Sequence, residues 1–314
     1  MPNTNFVNWP TFDQIKEMFK EHFIMDQRED GVVTVRMHTL GGPLIWSMEL
    51  HDAIGKMWRM LGTERSTEMI IFTGTEDAWV TDFEKKSWIP ESVEPAATRY
   101  NHMFIDGRRM LIAQIQDVEV PTLGVLSGSG GHTELALCCD LAIAADDITI
   151  LDPHMLVGNV PGDGIHSCFF QLMPYRQAVW YLLSGAKMTA EEALKFGLVS
   201  ELVPREKLMD RAYEIADLLM AQNRYTRRLA TQVMRRGWKQ RIVDDLDMTF
   251  GTECFGMFTD SHEHSYMQSM NEYLDLKPHY KGAIDMPENV DREAVARRAE
   301  EANSSLPPHG AGRR

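Results

Sequence analysis

The chain has 314 residues, 44% of them hydrophobic, enough to bury a full core in one large domain or two smaller ones. Its formal net charge of -14 speaks against a nucleic-acid partner, because phosphate binding rests on clustered Lys and Arg, and leaves a small or neutral ligand as the expectation. Cys138, Cys139, Cys168 and Cys254 make no C-x-x-C pair, and no apolar stretch nears the roughly 20 residues of a membrane span, so a cytoplasmic protein with reduced thiols and no membrane contact is expected.

Residues 1–30 read as a polar N-terminal extension with one amphipathic helix from Phe12 to Phe23, where Ile15, Met18, Phe19 and Phe23 recur at helical spacing. The core begins at Gly31. The β-branched run Val32 to His38 predicts a strand, Gly41-Gly42-Pro43 a break, and Trp46 to Leu61 a helix. Met69 to Phe72 is a short apolar run that predicts a buried strand, and a long helix is predicted from Thr98 to Gln116, with Glu76 to Ala97 irregular between them. Thr122 to Leu126 reads as a strand, Ser127 to Gly131 as a turn into a small-residue helix at Leu135, and Leu141 to Ala145 and Ile148 to Leu151 as further strands. This alternation predicts an α/β fold with helices covering a largely buried sheet. Beyond Pro161 helices are predicted over Ile165 to Met173, Gln177 to Ser184, from the Thr189 cap with Glu192 three residues on, over Arg205 to Met220, and from Arg224 to about Leu276. Only Leu198 to Val203 is strand-like there. Residues 31–204 thus make the core, 205–276 a helical region where subunits meet, and 277–314 a polar tail.

Chemistry concentrates between Ser127 and His166, where a glycine-rich turn, three histidines and several carboxylates stand together. The markers Gly130-Gly131, Glu134-Leu135-Ala136, Cys139-Asp140-Leu141, Val160-Pro161-Gly162-x-Gly164, Leu183-Ser184-Gly185, Ala190-Glu191-Glu192-Ala193 and Gly197-Leu198-Val199 occur in this order. In that order they resemble the crotonase (enoyl-CoA hydratase/isomerase) superfamily over roughly Gly31 to Met270. The resemblance implies a spiral of ββα units followed by a C-terminal helical trimerisation region, and an oxyanion hole of backbone N–H groups that holds an enolate. It also implies a homotrimer or a dimer of trimers.

Three departures narrow the resemblance. His132 follows Gly130-Gly131 where most relatives have a third glycine, Pro153-His154 stands where hydratases carry Pro-Glu, and Asp163 replaces a small residue in Pro161-Gly162-Asp163-Gly164. With Trp46 and Glu253, these resemble the 6-oxocamphor hydrolase branch of β-diketone hydrolases. Cleaving a bond between two ketones with water needs a base for the water and donors for the enolate that departs. A histidine beside a carboxylate suits the first task, and His154 with Asp163 is the expected pair. Donors aimed at the enolate suit the second, each worth roughly 3–4 kcal/mol, and His132 with the Gly131 N–H is expected there. The resemblance implies that Trp46 orients a substrate carbonyl and Glu253 supplies or relays a proton, with Trp79 and Glu134 completing the binding positions. No cofactor or metal is called for. A small cyclic diketone is the expected substrate.

Each residue also has a plainer role open to it. Asp163 stands where a helix N-cap belongs, His132 at a helix start can bond backbone, and Glu134 suits a first helical turn whatever the function. Glu253 can lie on a solvated face, and His154 can be an ordinary loop residue. His166 is expected to pack inside its helix. His262 and His264, two apart, do not share a helical face as metal ligands would. Two other functions stand beside the hydrolase. One is an enoyl-CoA hydratase or isomerase, favoured by Glu134 but weakened by His154 and by Trp79-Val80-Thr81-Asp82-Phe83, which lacks the Ala-Gly-x-Asp turn of CoA users. The other is a non-catalytic scaffold, disfavoured because clustered buried polar groups are costly without a use.

Overall fold

The computed structural model describes residues 9–84, 99–259, 283–284, 291, 293–295 and 297–298. Its first helix, α1 (Phe12–Met18), starts at a capping box in which Thr11 takes the Gln14 N–H and Gln14 reaches back to Thr11. The helix ends sooner than helical spacing predicts. Phe23 opens strand β1 (Phe23–Gln27), which turns at Gly31 and pairs antiparallel with β2 (Val32–Met37), so the sheet starts eight residues before the expected core.

Strand β3 (Leu44–Trp46) follows, and Trp46 ends it rather than opening a helix; Ser47 caps α2 (Met48–Thr63) instead. Strand β4 (Met69–Thr73) is buried at every position, as an inner parallel strand covered on both faces must be. Strand β5 (Val80–Glu84) lies where irregular chain was expected; it pairs in parallel with β3 and, on its other side, with Ala283–Ile284. The expected helix from Thr98 is a π-helical turn over Arg99–Asp106, then α3 (Gly107–Ile112), then a second π-helical turn over Ala113–Asp117.

Strand β6 (Thr122–Leu126) leads into the short α4 (Glu134–Leu137), then β7 (Leu141–Ala145) and β8 (Thr149–Ile150). Next come α5 (Ile165–Leu172), α6 (Tyr175–Ser184), β9 (Met188–Thr189), and α7 (Ala190–Phe196) with the expected Thr189 and Glu192 capping box. Strand β10 (Glu201–Val203) precedes α8 (Leu208–Met220), α9 (Arg224–Met234) and α10 (Arg236–Thr259). The remainder of the long terminal helix predicted to Leu276 lies outside the described residues, as do His262 and His264 and most of the tail.

The main sheet runs β1-β2-β4-β6-β7-β10, parallel except at the β1–β2 hairpin. Its core includes Trp58, Phe72, Leu61, Ile70, Leu123 and Val125, all closed to solvent; each such side chain contributes roughly 1.5–3 kcal/mol over an exposed one. This is the α/β architecture with C-terminal helices that the alternation predicted. Two features bring distant segments to one place. Gly124 of β6 lets α4 press against the sheet, since a Cβ there would stand 2.3 Å from the Ala136 carbonyl. Buried Arg235 fastens the start of α10 to the sheet by donating to the carbonyls of Val118 at 2.6 Å and Val120 at 2.7 Å, and to Asp140 Oδ1 at 2.6 Å. Among the described residues no helix is long and apolar enough to cross a membrane.

Candidate active site

The glycine-rich turn after β6 places His132 in the left-handed region, at φ 52°. A side chain held there costs about 1–2 kcal/mol, which explains why glycine is the easier residue at such a position. Neighbours hold the strained turn. Trp79 Nε1 donates to the His132 carbonyl at 3.0 Å, and the imidazole lies flat on Trp46, with ring centroids 3.8 Å apart and planes 13° from parallel. Trp46 is fully buried and its own N–H donates to His51 Nε2 at 3.1 Å. Both tryptophans therefore brace His132, one through its ring face and the other through its carbonyl.

His132 Nδ1 faces two carboxylates, Glu134 Oε1 at 2.8 Å and Asp163 Oδ2 at 3.3 Å. Burial alone would lower its pKa, but the Glu134 and Asp163 charges prevail and push it up to about 10. Behind the indole, burial and the nearby His132 cation push His51 down to about 3, so His51 is neutral and can accept the Trp46 N–H. His132 is thus a lasting imidazolium at neutral pH, sandwiched between carboxylates and an aromatic face that itself attracts cations.

The Gly131 N–H, expected beside it as an enolate donor, donates to the Val80 carbonyl at 2.9 Å. The strand that sequence periodicity did not show, β5, provides that carbonyl. In this arrangement the N–H is engaged within the protein.

His154 opens a 3-10 turn over His154–Val157. Its Nδ1 bonds not to Asp163 but to Asp152 Oδ1, at 2.5 Å, a partner outside the expected pair. Asp152 precedes His154 by two residues, and the turn at Pro153 brings the two side chains face to face. The other ring nitrogen, Nε2, looks toward Asp163 Oδ2 at 3.7 Å and Glu253 Oε1 at 3.5 Å. Asp163 accordingly stands between the two histidines, within 3.3 Å of one and 3.7 Å of the other. Its plainer role is present too, because Oδ1 takes the Ile165 N–H at 3.2 Å at the start of α5.

Glu253 comes from α10, far away in sequence. Gly162 makes this possible: a Cβ there would lie 2.2 Å from the Thr249 carbonyl, so only glycine lets the loop touch the helix. The Gly162 N–H then donates to Glu253 Oε2 at 3.2 Å, and Asn159 Nδ2 reaches Oε1 at 3.5 Å. Glu253 is buried, not on a solvated face.

The charges settle unequally. Burial would raise the Asp163 carboxyl, but His154 and His132 overcome it and hold it well below the usual carboxylate range. Burial would lower His154, yet Asp152, Asp163 and Glu253 together hold it well above its ordinary value. For Glu253 burial wins over His154 and lifts it to about 7, while burial and Asp163 also raise Glu134. Resting His154 therefore carries a proton, and Glu253, itself raised to about 7, faces its Nε2 at 3.5 Å. His166 packs inside α5, as expected, where burial lowers its pKa and Ser167 is its partner at 3.1 Å.

Of the residues singled out in the sequence, His132, Glu134, His154, Asp163 and Glu253 converge on one buried cluster, Trp46 and Trp79 brace it, and Gly131 lies on its rim. Asp152, His51 and Asn159 complete it without having been foreseen. The arrangement offers a fixed cation on one side and a movable proton on the other, the equipment for stabilising an anion while activating water.

Residues 45–283 match the enoyl-CoA hydratase/isomerase family. A probable mitochondrial enoyl-CoA hydratase of Dictyostelium discoideum is 25% identical over 241 residues, which is 73% of this chain and 78% of that protein. A short-chain-enoyl-CoA hydratase of Clostridium acetobutylicum is 28% identical over 160 residues, 48% of this chain and 60% of that one. Among solved structures, a beta-diketone hydrolase from the cyanobacterium Anabaena sp. PCC 7120, bound to (S)-3-oxocyclohexyl acetic acid, superposes with a TM-score of 0.71 at 25% identity. That likeness covers 80% of this chain and 98% of the cyanobacterial one.

Proposed function

The chain belongs to the enoyl-CoA hydratase/isomerase family, and within it we propose that this protein is a cofactor-independent hydrolase that cleaves a C–C bond of a cyclic β-diketone to give a keto acid. The observation that carries the reading is the pair of histidines on either side of Asp163, each with its own second carboxylate. A hydratase needs two carboxylates facing one water. Here Glu134 is bound to His132 at 2.8 Å, and a histidine holds the other carboxylate's place.

The steps follow from the charges. Transfer of the His154 proton to Glu253, 3.5 Å away, leaves a neutral imidazole whose Nδ1–H stays on Asp152 and whose Nε2 is free to act as a base. That nitrogen takes a proton from water as the water oxygen attacks one ketone. The tetrahedral intermediate collapses, the bond to the central carbon breaks, and its electron pair moves onto the second carbonyl oxygen. His132, already cationic, holds this enolate oxygen. Glu253 then gives its proton to the carbon, which leaves Glu253 ionised and His154 protonated, the resting arrangement. Water and diketone have become one keto acid with no group left over.

A hydratase acting on an acyl-CoA thioester remains the second reading, on the strength of the named relatives and Glu134. Purified protein incubated with a cyclic β-diketone, without CoA or metal, separates the two: loss of enol absorbance with appearance of a keto acid is expected. Hydration of an enoyl-CoA with diketones left untouched would reverse the assignment. The same reading makes the outward faces of α9 and α10, where Leu229, Val233, Met248 and Phe255 are exposed, the contact between copies in a homotrimer or dimer of trimers.

A further inference from the structure

Three side chains of the site share an arrangement that proton transfer alone does not require. Each has one polar atom pinned by the protein and the other turned to a common point. His154 Nδ1 is held by Asp152 at 2.5 Å, Asp163 Oδ1 by the Ile165 N–H at 3.2 Å, and Glu253 Oε2 by the Gly162 N–H at 3.2 Å. The atoms turned inward are His154 Nε2, Asp163 Oδ2 and Glu253 Oε1, all within 4.8 Å of one another. Nε2 stands 3.7 Å from the Asp163 oxygen and 3.5 Å from the Glu253 oxygen, too far for strong hydrogen bonds. Two ligands on one tetrahedral zinc ion, each about 2.0–2.1 Å from the metal, lie about 3.4 Å apart. Asp163 Oδ2 is fully buried and has no hydrogen-bond partner among the described residues, its nearest other neighbour being His132 Nδ1 at 3.3 Å. Among the described residues Glu253 Oε1 meets the Asn159 amide at 3.5 Å and His154 Nε2 at 3.5 Å.

We infer that His154, Asp163 and Glu253 form a binding site for one divalent transition-metal ion, Zn2+ being the best fit, and that the ion takes the His154 lone pair. The donor set is one imidazole and two carboxylates with a fourth position open, a combination zinc accepts. The Asp152–His154 bond supplies the outer support that metal-bound histidines usually have, fixing the tautomer with its lone pair on Nε2. The neighbouring trio His132, Glu134 and Asp163 is a poorer site: His132 Nδ1 and Glu134 Oε1 are 2.8 Å apart, closer than two ligands of one ion stand. In the proposed hydrolase the ion is an inhibitor, since it occupies the lone pair that takes the water proton. That last consequence rests on the proposed function, whereas the binding itself does not.

The test reads binding without substrate. Full-length protein stripped with a chelator is dialysed against micromolar Zn2+, and Co2+ replaces it for spectroscopy. One ion per chain and the strong visible bands of tetrahedral Co2+ are expected, without a thiolate charge-transfer band. Asp152→Asn should weaken binding about 10–100-fold. Glu253→Gln, which retains an acceptor for the Gly162 N–H, and His154→Ala should each weaken it at least as much, while His132→Asn should leave it within a few-fold of wild type. Absence of stoichiometric binding by the wild-type protein overturns the inference, as does binding that persists in His154→Ala or shows thiolate ligation. If diketone turnover is found, Zn2+ should lower kcat as it fills the site, because a chain whose His154 lone pair is on the ion has no base for water; if turnover is absent but the ion binds, only the functional reading falls.

Discussion

The two histidines of the site belong to differently built neighbourhoods. His132 is locked from every side: a strained backbone, an indole stacked on its face, a tryptophan N–H on its carbonyl and two carboxylates on one nitrogen. His154 sits on a single turn, with one nitrogen fixed on Asp152 and the other loosely facing two carboxylates at 3.5 and 3.7 Å. The first neighbourhood holds a charge permanently and the second lets a proton move. The proposed hydrolysis, which must both stabilise an enolate and activate water, calls for one of each.

Substitutions that break the contrast should do so unequally. His154→Ala removes the base, and kcat on a cyclic β-diketone should fall by about 10²–10⁴ while the circular dichroism stays unchanged. Retention of the wild-type rate removes the base assignment. His132→Ala should cost about 10²–10³ in kcat, the size of a lost oxyanion donor, and should keep the rise with pH but move it upward, because the His132 cation no longer helps to lower Glu253. Loss of the rise would mean that His132 itself moves the proton.

Glu253→Gln sharpens the comparison further. Below about pH 7 both Glu253 and His154 hold protons and no base exists; above it the pair retains one proton and the base form is available, so kcat/KM should rise with pH through about 7. In Glu253→Gln that rise should vanish, with kcat reduced about a hundredfold. A rise that survives assigns the limb to another group. The smallest effect belongs to Trp46→Phe, which weakens a cation–aromatic contact worth about 0.5–1 kcal/mol, so the His132 titration followed by NMR should move down by less than one pH unit.

The sequence displayed the buried strands plainly, because Met69 to Phe72 and Thr122 to Leu126 are apolar runs that need both faces covered. It concealed β1, since Phe19 and Phe23 extend the helical spacing of α1 and only the pairing with β2 reveals the strand. It concealed β5 as well, whose partner β3 lies more than thirty residues earlier. The same division holds within the site. Unusual residues marked His132 and Asp163 in glycine-rich turns and His154 after Pro153. What no spacing shows is which carboxylate each nitrogen meets: Asp152 displaced Asp163 as the close partner of His154 because a turn at Pro153 is a local event, while the loop to Asp163 must be set by packing. Nor does spacing show that the Gly131 N–H meets the Val80 carbonyl and the Trp46 N–H meets His51, since Val80 lies on a distant strand and His51 on the helix that follows Trp46.

The close approach at Gly162 reaches beyond the geometry of one hydrogen bond. Glu253 holds its proton to about 7 only because α10 lies against the loop and keeps water away. Lifted from that seat it would be an ordinary carboxylate that ionises near 4.3. The acid is therefore manufactured by docking: a chain whose sheet has formed but whose last helix is still loose owns every atom of the proposed site and lacks the proton that the proposed reaction spends.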